Sequence, residues 1–127
     1  MNQNQQRKIN EFSNNYLDYS YRRDWNSINI SAADSYDHNR MVFEICYWLL
    51  KNKIPFLTQA RFKTGHRPDI ITPTHIKPII EVRNTEKEKN SLNKLKLVPI
   101  ELQKEIIYVD CFNLNKEIIE FNEKLIL

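Results

Sequence analysis

Three acidic residues stand where acids are out of place. Glu44 lies within Met41-Val42-Phe43-Glu44-Ile45-Cys46-Tyr47-Trp48-Leu49-Leu50, a run that is apolar on nearly every face of a helix. An unpaired carboxylate buried there would cost several kcal/mol, so Glu44 either occupies the one wet edge of the helix or faces a cation. Asp69 follows Pro68 and opens the β-branched run Ile70-Ile71. Asp is depleted in strands, and an Asp ending a turn after proline is the plain explanation. Glu81 interrupts Ile79-Ile80-Glu81-Val82-Arg83, which otherwise reads as an interior strand. Strand alternation places Glu81 and Arg83 on one face and Ile80 and Val82 on the other, so an ion pair along that face is the simple alternative. Two acids on adjacent strands and one on the preceding helix are also the hard oxygen donors that bind Mg²⁺ together with retained waters.

These acids need elements to carry them. Ile9, Phe12, Tyr16 and Tyr19 recur at helical spacing and predict a first helix over 5–19. The stretch 21–37 has no sustained period and reads as a connecting loop anchored by Trp25, and residues 1–37 could stand apart as an arm. Asp37 or Ser35 caps a helix over 38–51, which Asn52, Lys53 and Pro55 end. With apolar residues all round, that helix is expected to be mostly buried. Strand-like runs follow at 56–63, 68–72 and 78–84, separated by Thr64-Gly65-His66-Arg67 and by residues 73–77, so they form an antiparallel meander. Thr85 and Glu88 make a capping box for a lysine-rich helix over 86–97, a fourth strand spans 105–111, and Leu114, Ile118, Phe121 and Leu125 give a closing helix. A helix between the third and fourth strands is a crossover, which makes those two strands parallel with a right-handed link. The expected fold is α/β with a mixed sheet, its main domain spanning 38–127.

Composition narrows the function. A chain of 127 residues fits one domain, and 41% hydrophobic with 28% charged residues is ordinary globular usage. A single glycine excludes the Gly-rich nucleotide loops. Cys46 and Cys111 have no zinc or disulfide spacing, so a reducing cytoplasm is the expected location. No apolar run approaches the roughly 20 residues that cross a bilayer, and residues 1–6 do not read as an export signal, so no membrane partner is expected. Residues 51–104 carry twelve Lys/Arg against five Asp/Glu, while residues 105–127 are acidic. Arg61, Lys63 and Arg67 on one side, and Lys87, Lys89, Lys94 and Lys96 on the other, flank the acids, as either a solvated basic face or a surface for a phosphate backbone such as that of DNA. Aromatic residues do not interleave with them, so base-specific readout is not expected. His66 and His75 fall in turns and His38 at a helix start, where solvent-facing imidazoles are the expectation. No zinc spacing and no Ser or Cys nucleophile paired with a base is visible.

Pro68-Asp69, eleven intervening residues, Glu81-Val82-Arg83, and Glu44 on the preceding helix together resemble the PD-(D/E)XK nuclease superfamily. The resemblance covers about residues 38–111, and Gly65-His66-Arg67-Pro68-Asp69 is similar to a turn in archaeal Holliday-junction resolvases. It implies a restriction-endonuclease-like core of one helix, three meandering strands, a crossover helix and a fourth strand. It also implies that Asp69 and Glu81 hold Mg²⁺, with Mn²⁺ as a substitute, that the Val82 carbonyl adds a ligand, and that Glu44 acts directly or through water. Arg83 departs from the pattern, which has lysine there. Arginine keeps the charge and can clamp a phosphate bidentately, but it cannot accept a proton. Lys63, Lys77 or Lys87 could supply an ammonium instead, and Glu86 an extra ligand. The expected function is a metal-dependent DNA endonuclease, with a homodimer as a compatible assembly. The alternative is a nuclease-fold module whose catalysis has lapsed at Arg83 and which binds DNA or a protein.

Overall fold

A computed structural model of the chain describes residues 2–18, 24–83 and 96–111. Helix α1 (Gln3–Tyr16) opens with a capping box in which the Asn2 side chain accepts from the Gln5 N–H and the Gln5 side chain accepts from the Asn2 N–H. Helix α2 (Tyr36–Lys51) is capped by Ser35, whose hydroxyl accepts from the His38 N–H. It ends where Lys53 turns left-handed, with φ at 56°. The Lys53 N–H then reaches the Leu50 carbonyl and the Ile54 N–H the Leu49 carbonyl, which satisfies two of the last helical acceptors.

Strands β1 (Leu57–Thr58), β2 (Ile70–Ile71), β3 (Ile79–Arg83) and β4 (Ile106–Asp110) lie side by side in that order. The first two pairings are antiparallel and β3 pairs with β4 in parallel, so the protein is α/β with a mixed four-stranded sheet. The first two strands are shorter than the sequence predicts. Gln59 takes a left-handed φ of 54° and bends the chain out of the ladder after Thr58, while Pro68 has no N–H to offer. Between β1 and β2 the chain turns at Gly65, whose φ of 101° strains any residue with a Cβ. A short 3₁₀ turn, Ile100–Leu102, precedes β4 and was not expected. Lys96 and Leu97, the expected end of the crossover helix, stand in a turn, and its remainder lies outside the described residues, as does the C-terminal helix expected from Leu114 onward.

Alternation along the strands feeds two apolar layers. Met41, Val42, Ile45, Cys46 and Leu49 of α2 pack on Ile70, Ile80, Val82, Ile107 and Val109. Ile71 and Ile79 face the other way, against Phe12, Leu17, Leu57, Ala60, Phe62, Val98 and Leu102. Each fully buried isoleucine contributes roughly 1.5–3 kcal/mol. The N-terminal segment packs into this second layer instead of standing away as an arm. Leu17 bridges to Phe62, the Lys63 N–H reaches the Tyr16 carbonyl, and the Asp18 N–H reaches the Arg61 carbonyl.

Helix α2 buries one face only. Tyr36, Phe43, Tyr47 and Leu50 are exposed, so the helix is less buried than its apolar sequence leads one to expect. Among the described residues no helix is long and apolar enough to cross a membrane.

Candidate functional site

The end of the β2–β3 ladder brings Asp69 and Glu81 together. The Arg83 carbonyl accepts from the Cys111 N–H on the β4 side, so by alternation the N–H and carbonyl of Val82 lie on the β2 edge. Strand β2 pairs only as far as Ile70 opposite Ile80, and Asp69 Oδ2 takes the Val82 N–H at 2.8 Å in place of a main-chain carbonyl. In return Glu81 Oε1 accepts the Asp69 N–H at 2.9 Å. Each carboxylate is thus fixed by a backbone donor beside the other, and two acids twelve residues apart become neighbours.

Two imidazoles bracket this pair, and neither was expected there. His38 Nε2 lies 3.2 Å from Asp69 Oδ1, and His66 Nε2 lies 3.5 Å from Glu81 Oε2. His66 is only 8% exposed, not a solvent-facing turn residue, and its Nε2 has no hydrogen-bond partner of good geometry. Its ring stacks beside Phe62 at 6.4 Å, which explains why this turn residue is inside. His38 is reached because α2 places it three and four residues before Met41 and Val42, on the face that packs on the sheet. That spacing is the signal by which the sequence could have placed it.

Glu44 is not brought to the pair. It follows His38 by six residues, about 240° around the helix, and sits half-buried on the flank of α2. The helix therefore presents His38, not Glu44, to the carboxylates.

Arg83 shares a strand face with Glu81, as alternation requires, but its guanidinium lies over the Tyr108 ring, 4.9 Å from the centroid. Tyr108 stands opposite Glu81 in the parallel register. Burial pushes its phenol up from the usual range, the Glu81 charge adds to this, and Arg83 opposes it. Register alone would have identified Tyr108 as a neighbour of the site.

Burial also pushes the Glu81 carboxyl above its ordinary value. The His66 contact pulls it down, but the nearby Asp69 charge adds to the burial effect, and the rise prevails. For His38, burial acts to lower the pKa, but the Asp69 carboxylate, helped by Asp34, outweighs it and the net direction is up from 6.5. A raised folded-state pKa stabilises the fold below the unfolded value and ceases to do so as the pH rises through the folded value. Thermal melts should therefore show stability falling above about pH 6.5, and His38→Gln should flatten that part of the profile. Parallel profiles for the two proteins would remove the His38–Asp69 pair from the account.

The basic residues are partly engaged elsewhere. Arg61 Nε lies 3.9 Å from Asp18 Oδ2, and Lys63 Nζ donates to the Asn14 carbonyl, so both brace the N-terminal segment. Lys77 reaches Glu105 and the Lys104 carbonyl. Neither Lys63 nor Lys77 joins the carboxylate pair. Arg67 is exposed two residues before Asp69, while Glu86, Lys87, Lys89 and Lys94 lie outside the described residues. The thiols Cys46 and Cys111 are buried and free, and burial pushes Cys46 up to about 12, which makes it a poor nucleophile. Among the described residues no three His, Cys, Asp or Glu side chains are grouped so as to hold a metal ion.

Compared with models of known protein families, with curated proteins and with solved structures, the chain matches none.

Proposed function

We propose that the protein is a magnesium-dependent DNA endonuclease on a restriction-endonuclease-like core, with Asp69 and Glu81 as its acidic centre. The reading rests on one observation: two carboxylates are held side by side at an open strand end by the Val82 and Asp69 N–H groups. Burial and the nearby Asp69 charge both disfavour the ionised form of Glu81, which a cation would offset. Two carboxylates and a carbonyl on the same edge, that of Val82, suit Mg²⁺, which takes few protein ligands and retains water. Bound there, the cation would supply Lewis-acid stabilisation of a phosphodiester. The chain's own residues do the rest. The backbone donors fix the carboxylates, His38 meets the outer oxygen of Asp69, His66 stands 3.5 Å from that of Glu81, and Arg83 offers a guanidinium to a phosphate from the same strand face as Glu81. Glu44 has no part in this arrangement.

The test is cleavage of supercoiled and branched DNA by the full chain with Mg²⁺ or Mn²⁺. Metal-dependent cleavage that disappears in Asp69→Ala is the expected result. DNA binding without cleavage would favour the lapsed module, a reading that draws on Arg83 standing over Tyr108 where a lysine is absent. Loss of both would end the nucleic-acid reading.

Arg83→Lys separates adaptation from decay. Lysine keeps the charge but gives up the guanidinium's contact with the Tyr108 ring and the two parallel hydrogen bonds that a guanidinium makes to phosphate. Single-turnover cleavage at saturating Mg²⁺ should fall about 10-fold or more, roughly 1.4 kcal/mol of transition-state stabilisation. A faster lysine variant would mean that position 83 has decayed, and equal rates would mean that only its charge matters.

A further inference from the structure

The exposed face of α2 carries a pattern that its role in the core does not use. Tyr36, Arg40, Phe43, Tyr47 and Leu50 follow one another at steps of four, three, four and three, the spacing that keeps a stripe against a partner helix. The buried residues Met41, Val42, Ile45, Cys46 and Leu49 occupy the opposite face, so the stripe points away from the sheet. Tyr36 is 77% exposed, Phe43 51% and Tyr47 50%. The rings of Phe43 and Tyr47 are stacked at 6.2 Å, a ready-made flat surface. Scattered apolar residues on a surface are ordinary, but a continuous helical seam of aromatics is not.

We infer that α2 is the interface of a homodimer, in which two copies of this helix pair antiparallel about a two-fold axis near Phe43. Charge argues for this occupant and this direction. Asp34 and Asp37 mark the N-terminal end of α2, and Lys51 and Lys53 the C-terminal end. Antiparallel pairing sets each acidic end against the basic end of the other copy and opposes the helix dipoles. One register serves all the contacts at once. With Asp34 opposite Lys53 of the second copy, Arg40 falls opposite its Tyr47, whose ring lies between Phe43 and the Lys51 ammonium of its own helix. Leu50 of the second copy then falls beside Asp37, next to a cleft of about 560 Å³ lined by Ile28, Ile30, Tyr36, Asn39, Arg40 and Phe43. The same contacts repeat across the axis, as an isologous interface requires.

The area is sufficient for a modest dimer. Three aromatic rings with Leu50 and Ile30 offer on the order of 500 Å² per copy, so about 1,000 Å² in the pair, near the lower bound for specific interfaces. This inference does not depend on the proposed activity. His38 lies on the sheet-facing side of α2, away from the stripe, and Asp34, 3.8 Å from its Nδ1, is the one end-pairing residue that also touches it.

Sedimentation of the full chain between roughly 1 and 100 µM, bracketing a micromolar affinity, should show the mass double. Phe43→Glu and Tyr47→Glu change exposed positions, so they should keep the far-ultraviolet circular dichroism of the parent while weakening the dimer at least about 10-fold. Asp34→Lys should weaken it too, and Asp34→Lys with Lys53→Glu should restore it, because the swap rebuilds the end pairing with its sign reversed. A monomer at the highest concentration, or a dimer indifferent to Phe43→Glu, would overturn the proposal. A dimer that Asp34→Lys leaves intact would overturn the antiparallel order.

Discussion

Glu81→Gln should abolish DNA cleavage and at the same time raise the melting temperature at neutral pH. Gln retains the oxygen that accepts the Asp69 N–H, so the clasp between the two strands survives. What disappears is a charge in a place where burial and the Asp69 carboxylate both disfavour it. The sign follows from linkage. The raised pKa of Glu81 makes its neutral form favourable to the fold below the ordinary value of 4.5, and that benefit is lost as the pH climbs through the folded value. Glutamine is neutral throughout, so the variant should exceed the parent by about 4 °C near pH 7.5, roughly 1 kcal/mol, and the two should converge toward pH 4.5. Removing a group that merely supports a metal ligand costs 10–100-fold in affinity or activity, so loss of a direct ligand should lower cleavage by at least about 100-fold. Melting curves at several pH values and cleavage rates at saturating Mg²⁺ measure the two effects separately. A variant less stable than the parent at every pH would mean that the ionised Glu81 is needed by the fold, with His66 as its counter-charge.

Asp69→Ala should have the opposite effect on stability. Asp69 joins three elements: it takes the Val82 N–H of β3, meets His38 of α2, and its own carbonyl accepts the Gln59 N–H that follows β1. Truncation leaves the Val82 N–H and His38 Nε2 without that acceptor, at about 1–3 kcal/mol for each unsatisfied group. Relief of the repulsion on Glu81 offsets part of this. A net loss of about 2–3 kcal/mol, or roughly 10 °C in melting temperature, is expected together with loss of cleavage. Asp69→Asn keeps one acceptor oxygen for Val82, so it should recover more than half of the stability and none of the activity. If Asn proves as unstable as Ala, the Asp69 charge rather than its hydrogen bond holds the ladder end.

The contrast between these two acids shows what the sequence could reveal. The pairing of β2 with β3 and the parallel return of β4 followed from turn residues and crossover length, and together they make Asp69 and Glu81 neighbours. The bond that fixes each carboxylate was not visible, because it depends on where the ladder stops. Ladder length was set by the left-handed Gln59 and by Pro68, and no periodicity encodes the former. Glu44 drew attention as a charge in an apolar run, yet the helix turns it to the flank, while His38, unremarkable at a helix start, faces Asp69. Arg61 and Lys63 read as part of a basic patch because sequence charge is blind to the return of residues 13–18, which bring Asp18 and the Asn14 carbonyl to meet them. His66 is inside because Phe62 is beside it, a contact made across a four-residue turn whose shape Gly65 sets.

The parallel pairing of β3 with β4 also bears on how the protein comes into being. Strands β1, β2 and β3 are joined by residues 59–69 and 72–78 and can pair in sequence, whereas Ile79 meets Ile106 only after the chain has travelled 27 residues. Closing that loop costs entropy before any contact repays it, so the meander should form early and the last strand should dock late. On a ribosome, the Glu81 edge of the sheet would emerge well before its β4 neighbour. During that interval β3 is an unpaired, isoleucine-rich edge open to other chains, and Glu81 and Arg83 set charge into the strand that natural sheets use to discourage such pairing.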